Sequence, residues 1–123
     1  MKYEYLLDWY ISHKRTLPWR NTKDPYMIWL SEVMLQQTQV NVVIPYYNRW
    51  IKTFPTIEKV AKADLDNLLK LWEGLGYYSR CRNFHKASQY VVTNYKGIIP
   101  RDYDLFIALP GVGEYIASAV MSI

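Results

Sequence analysis

Helix starts and stops recur along this chain at short intervals, and no segment between them reads as a strand. Asp24-Pro25 pairs an N-cap side chain with proline at the first helical position, where its missing N–H costs nothing. The helix that this pair opens is predicted to run to about Gln37. A second is predicted from about Val40 to Thr53, ended by Phe54-Pro55, with Pro45 in its first turns or at a kink. Thr56 and Asp64 suit the caps of two short helices, Ile57–Lys62 and Leu65–Trp72, before Gly74 and Gly76 break the pattern. A longer helix follows from Tyr78 to about Tyr95, closed by Gly97. Asp102 suits the cap of Tyr103–Leu109, Pro110-Gly111-Val112-Gly113 a tight turn, and Glu114 the start of a last helix. Ahead of all these, Leu6, Leu7, Tyr10 and Ile11 keep helical spacing in a stretch from Tyr3 to Lys14 that stops before Leu17-Pro18. Val91-Val92-Thr93 is β-prone but sits inside a helical period, and strict alternation occurs nowhere. The expectation is one all-α unit with short connections. Ala117, Val120, Met121 and Ile123 hold the apolar pattern to the last position, as in a helix that continues or docks on something.

A chain of 123 residues, half of them hydrophobic, can bury a real core. The net charge is +4, yet residues 49–101 alone carry +6, ten basic against four acidic. A solvated helical surface accounts for such a stretch, and so does a polyanion partner. Twelve Tyr, five Trp and three Phe suit a packed core or a surface that meets bases. No apolar run approaches the roughly 20 residues of a membrane span. The N-terminus has no apolar core or cleavage site of a secretory signal. With Cys81 as the single cysteine, this chain alone builds neither a disulfide framework nor an all-cysteine metal or iron–sulfur site, and a reducing, cytoplasmic setting is expected.

Several constellations carry possible chemistry. Phe106, Leu109, Gly111, Gly113 and Ala117 fit h-x-x-h-x-G-x-G-x-x-x-A, a helix–hairpin–helix. Its glycines permit a tight turn, and the amides opening the next helix favour an anion such as a DNA phosphate. A plain helix–helix turn is the simpler alternative, and Glu114 places a negative charge near that site. Glu32 lies mid-helix with Ile28, Trp29, Leu35 and Gln36 one turn away, three of them apolar. Burial there raises a carboxyl toward a usable general acid, unless Arg15 or Arg20 pairs with it. Gln36-Gln37-Thr38-Gln39 offers amides to base edges, or simply caps the helix. Leu75 and Tyr77, in Gly74-Leu75-Gly76-Tyr77-Tyr78, suit wedges between bases, or core residues at a helix stop. Trp19, beside Arg20, offers a face to a flat base or belongs to a rigid connector. His13 and His85 have no second ligand at helical spacing and read as surface or core histidines. Cys81, between Arg80 and Arg82, reads as a packed thiol rather than an activated one.

Taken together, Leu17-Pro18-Trp19-Arg20, Asp24-Pro25-Tyr26, the run from Trp29 to Val40, Pro45-Tyr46, Phe54-Pro55-Thr56, the run from Trp72 to Arg80 and Leu109-Pro110-Gly111-Val112-Gly113 resemble the adenine-specific DNA glycosylases of the MutY type. They follow in order over nearly the whole chain. The resemblance implies the helix–hairpin–helix glycosylase fold, mainly its six-helix domain at about 24–123 with the hairpin at 103–123. It also implies an N-terminal helix at about 1–16 that packs on an iron–sulfur domain beyond this chain. The implied activity is base-excision repair: flipping out adenine mispaired with 8-oxoguanine or guanine in double-stranded DNA and hydrolysing its N-glycosidic bond. By motif, Glu32 becomes the general acid that protonates adenine N7. Arg15, Trp19, Arg20, Leu35 and Tyr115 line the adenine pocket. Gln37 intercalates, Thr38, Leu75 and Tyr77 lie against 8-oxoguanine, and Gly111, Val112 and Gly113 give phosphate-binding amides.

Endonuclease III-type enzymes resemble the chain in the hairpin but carry a catalytic Lys where Tyr115 stands, which implies a monofunctional glycosylase. The family's catalytic Asp lies roughly twenty residues beyond the second glycine, whereas this chain stops ten residues after Gly113. The cysteines of the family's 4Fe–4S cluster and its 8-oxoguanine recognition domain are likewise not in these residues. The expectation is therefore a monomeric, nucleoid-associated cytoplasmic enzyme's N-terminal part, binding no cofactor itself and inactive or nearly so alone. The alternatives are a non-catalytic DNA-binding remnant, with salt-dependent affinity and no mispair preference, and a non-functional truncated product.

Overall fold

The computed structural model describes residues 17–19 and 22–123. The helix expected over Tyr3–Lys14, His13, Arg15 and Arg20 lie outside the described residues. Seven helices follow among the described residues: α1 (Pro25–Leu35), α2 (Val40–Thr53), α3 (Ile57–Lys62), α4 (Leu65–Trp72), α5 (Ser79–Tyr95), α6 (Tyr103–Ile107) and α7 (Glu114–Met121). Helix α1 is central. It packs on α2, α5 and α7, while α3 and α4 lie on α5, and α6 pairs with α7 across the hairpin turn. None of these helices is long and apolar enough to cross a membrane.

The caps operate largely as the sequence predicts. The Asp24 carboxylate accepts from the Tyr26 amide at 2.9 Å, with Pro25 at the first helical position. Thr56 accepts from the Lys59 amide, and Asp102 from the Leu105 amide. Asp64 occupies its cap position without a side-chain bond. Pro45 is accommodated inside α2. Three boundaries differ. Helix α6 stops at Ile107, because the Leu109 amide closes a short turn onto the Phe106 carbonyl. Helix α5 starts at Ser79 and is closed by Lys96, itself left-handed at φ 57°, one residue before Gly97. Helix α1 ends at Leu35 rather than Gln37, for a reason that belongs to the site described below.

The core is built from aromatic rings. Trp29 meets Phe84 and Phe106 edge-on, with centroids 4.9 and 5.1 Å apart, and Trp50 meets Trp72 at 5.8 Å. The Tyr26 hydroxyl donates to the Phe54 carbonyl and accepts from Trp50 Nε1 at 3.0 Å, so the polar ends of two buried rings satisfy each other. Cys81 and His85 are core residues. Burial pushes the Cys81 thiol up to about 12 despite the opposing Arg82 charge, as expected for a packed, unreactive thiol.

Candidate nucleic-acid and base-excision site

Helix α1 is apolar on nearly every side: Tyr26, Trp29, Leu30, Ser31, Val33 and Met34 are all buried. Glu32 is the one charged residue of this helix. It is half-buried, and desolvation holds its carboxyl above the usual glutamate range. It opens into a groove of about 570 Å³ whose walls include Leu35, Gln37, Tyr77, Arg80 and Tyr115. These come from the end of α1 and the residues just after it, the turn before α5 and the first turn of α5, and the first turn of α7. Among the described residues that line the groove, Glu32 is the only carboxylate.

The rim is aromatic and exposed. Tyr77 is 59 % exposed and Tyr115 is 75 % exposed. Gln37 is also exposed and, like Tyr77, adopts a left-handed backbone, at φ 57° and 49° respectively. Not every residue expected at the site is there. Leu75 is only 7 % exposed and packs in the core, so of the two expected wedges Tyr77 alone presents a ring to the groove. Trp19 is buried edge-on against Tyr47 at 5.0 Å and is not among the groove's lining residues. Its indole is occupied by packing rather than offered to a base. Thr38 lies outside the lining as well, its hydroxyl donating to the Gln36 carbonyl at 3.3 Å.

The hairpin sits behind this groove. Gly111 is left-handed at φ 76°, and a Cβ there would lie 2.8 Å from Asn83 Cβ, so the turn fits against α5 only as glycine. Gly113 is extended and has nothing within 4 Å of its Cβ position, so its bareness leaves open space in front of α7 instead. Of the three amides expected to meet phosphate, that of Val112 is already engaged, donating to the Leu109 carbonyl at 3.1 Å. The Val112 side chain is buried under the turn. The unfilled donors are then those of Gly111, Gly113 and the first turn of α7, where the helix dipole is positive.

The sequence reading assigned no role to Arg80, and the structure gives it the most contacts of any polar side chain at the site. Its Nη1 donates to the carbonyls of Val33 at 3.1 Å, Met34 at 2.9 Å and Gln36. Its Nη2 donates to Gly76 at 3.0 Å, and Nε to Tyr77 at 3.4 Å. This ends α1 two residues early: a cation satisfies the last carbonyls, so Gln36 leaves the helix. Burial lowers the guanidinium pKa, opposed by Tyr77. The basic residues of 49–101 do not otherwise converge on the groove, and Arg80 is the one that lines it.

An all-α fold with a glycine hairpin beside a groove that holds one desolvated carboxyl defines a helix–hairpin–helix protein of the base-excision type. Residues 30–118 match the HhH-GPD superfamily base excision DNA repair protein, and the chain belongs to that family. It is 47 % identical over 98 % of its length to an adenine DNA glycosylase of Buchnera aphidicola subsp. Baizongia pistaciae. It is 46 % identical over 96 % of its length to the adenine DNA glycosylase of Homo sapiens. The chain spans 34 % of the first and 23 % of the second. Among solved structures it resembles a thermostable thymine-DNA glycosylase, with a TM-score of 0.81 and 29 % identity, covering 94 % of this chain and 54 % of that one. It shares its fold with endonuclease III in a trapped covalent DNA intermediate, at a TM-score of 0.76 and 24 % identity, covering 99 % of this chain and 58 % of that one.

The cluster implied by the sequence resemblance does not fit these residues. A 4Fe–4S centre is held by several thiolates, whereas the single cysteine here is fully buried and keeps its proton.

Proposed function

We propose that this chain forms the adenine-handling part of an adenine DNA glycosylase, acting on A·8-oxoguanine or A·G mispairs in double-stranded DNA. The observation that carries the reading is Glu32, a carboxyl with its pKa raised by burial, opening into a groove rimmed by Gln37, Tyr77 and Tyr115. The high identity to proteins named adenine DNA glycosylase supports the choice of base.

Adenine flipped out of the stack enters the groove, with Leu35 and the Tyr115 ring against its faces. Gln37 and Tyr77 fill the gap left in the duplex. Gly113 and the amides opening α7 hold the backbone phosphate. Glu32 keeps its proton to a higher pH than an exposed glutamate and gives it to N7. Protonated adenine then departs as the glycosidic bond breaks, the electron pair of that bond leaving with the base, and water adds to the sugar. A second carboxylate would stabilise the cationic sugar, as in glycoside hydrolysis by carboxylate pairs. The described residues of the groove supply one carboxylate, so release by this chain alone is expected to be several orders of magnitude below that of a complete pair.

The test is single-turnover adenine release from a duplex with A opposite 8-oxoguanine, the chain in excess, with Glu32→Gln alongside. The reading expects slow release that Glu32→Gln abolishes, and tighter binding to this duplex than to one with A·T. Release unaffected by Glu32→Gln would remove it as the acid. Equal binding to both duplexes without release would leave a backbone-binding module.

A further inference from the structure

The backbone is in a rarely used conformation at three non-glycine residues among those described, and two of them, Gln37 and Tyr77, flank one guanidinium. They lie forty residues apart in sequence, one just beyond α1 and the other just before α5. Each is exposed at the groove rim, so burial of its own side chain in the core does not enforce the left-handed backbone. What the two segments share is Arg80. It bonds the carbonyls of Val33, Met34 and Gln36 on one side and those of Gly76 and Tyr77 on the other. Its Cζ also lies 5.2 Å from the Trp72 ring centroid and 5.6 Å from that of Tyr77, so its plane is fixed by rings as well as by carbonyls.

We propose that Arg80 is a positioning residue that couples the two wedges: one guanidinium holds Gln37 and Tyr77 in their left-handed conformations at a fixed separation beside Glu32. The geometry requires arginine. Its donors diverge from a rigid plane and reach two segments at once, while a lysine ammonium is a single point that can serve one of them. What the two wedges enter rests on the reading above; that they are coupled does not.

The experiment compares the chain with Arg80→Met and Arg80→Lys. Amide hydrogen exchange is expected to quicken by about tenfold or more in Arg80→Met at residues 36 and 38 and at residues 80 and 82 together, whose amides bond within the two segments, with α3 and the rest of α5 changed by less than about twofold. Arg80→Lys, the variant that keeps the charge should the methionine variant fail to fold, is expected to protect at most one of the two segments. Unchanged exchange at both segments, full protection of both by lysine, or an equal loss throughout the chain would overturn the coupling. A second readout uses a duplex with 2-aminopurine next to an A·8-oxoguanine pair. Unstacking raises its emission with the wild-type chain, and both variants are expected to lose at least about half of that rise while still binding. A full rise with Arg80→Met would overturn the proposal. No rise with the wild-type chain would overturn the DNA reading and leave the exchange result to decide the coupling.

Discussion

The two hairpin glycines look equivalent in sequence and differ in structure, which yields a sharp prediction. At Gly111 an added methyl meets two obstacles. An L-residue at φ 76° costs roughly 1–2 kcal/mol, and a Cβ 2.8 Å from Asn83 Cβ forces the turn off α5, an overpacking cost of about 1–3 kcal/mol. Gly111→Ala should therefore lose about 2–5 kcal/mol, and at roughly 4 °C per kcal/mol for a domain of this size its Tm should fall by about 8–20 °C. At Gly113 neither obstacle exists: the backbone is extended and the Cβ position is open. The small loss at a helix N-cap and the gain from a less flexible unfolded chain nearly cancel, so Gly113→Ala should stay within about 0.5 kcal/mol. The open space is where a phosphate is expected, so Gly113→Ala should weaken duplex binding without touching Tm. The assay is thermal unfolding by circular dichroism, paired with duplex affinity at fixed salt. Equal Tm losses for the two variants, or a larger loss at Gly113, would refute the reasoning.

Three further outcomes follow from the core and the site. Tyr26→Phe removes the acceptor of Trp50 Nε1 and the donor to the Phe54 carbonyl, and should cost about 1–3 kcal/mol in denaturant unfolding; an unchanged midpoint would contradict it. Because the folded pKa of Glu32 is raised by burial, its contribution to stability is fully present below its unfolded pKa and is lost as pH rises through the folded value. Glu32→Gln should therefore be more stable than the wild type at neutral pH, the difference vanishing below the ordinary glutamate range in a Tm-versus-pH series. Cys81, fully buried and with its thiol pushed up to about 12, should react with a thiol reagent only as fast as the chain unfolds; immediate labelling of the native chain would contradict its packing.

The helices were legible because their ends are written locally. Asp24-Pro25, Thr56 and Asp102 cap in the structure as their side chains and positions dictate. Glu32 was legible too, since an acid one turn from Ile28, Trp29 and Leu35 is desolvated wherever that helix packs. The end of α1 was not, because it is set by Arg80, which lies 47 residues beyond the Val33 carbonyl that it bonds. No local signal marks that partnership; an arginine one turn after two helix-breaking glycines is the nearest hint. Trp19 and Leu75 show the same limit from the other direction. Each has the chemistry to meet a base, and only the fold decides that Tyr47 and the core take them first. The equal-looking glycines at 111 and 113 are separated by the position of Asn83, which the hairpin pattern does not contain.

Glu32 faces the groove, and desolvation raises the pKa of its carboxyl above that of an exposed glutamate. The direct measurement is the titration of its side-chain carboxyl by carbon-13 NMR, assigned by its loss in Glu32→Gln. The account predicts a midpoint above the ordinary glutamate value of 4.5, moving higher still when a duplex carrying an uncleavable adenine analogue opposite 8-oxoguanine is bound. A midpoint at or below 4.5 in both states would contradict it, and Glu32 would then be an ordinary ionised carboxylate with no proton to give.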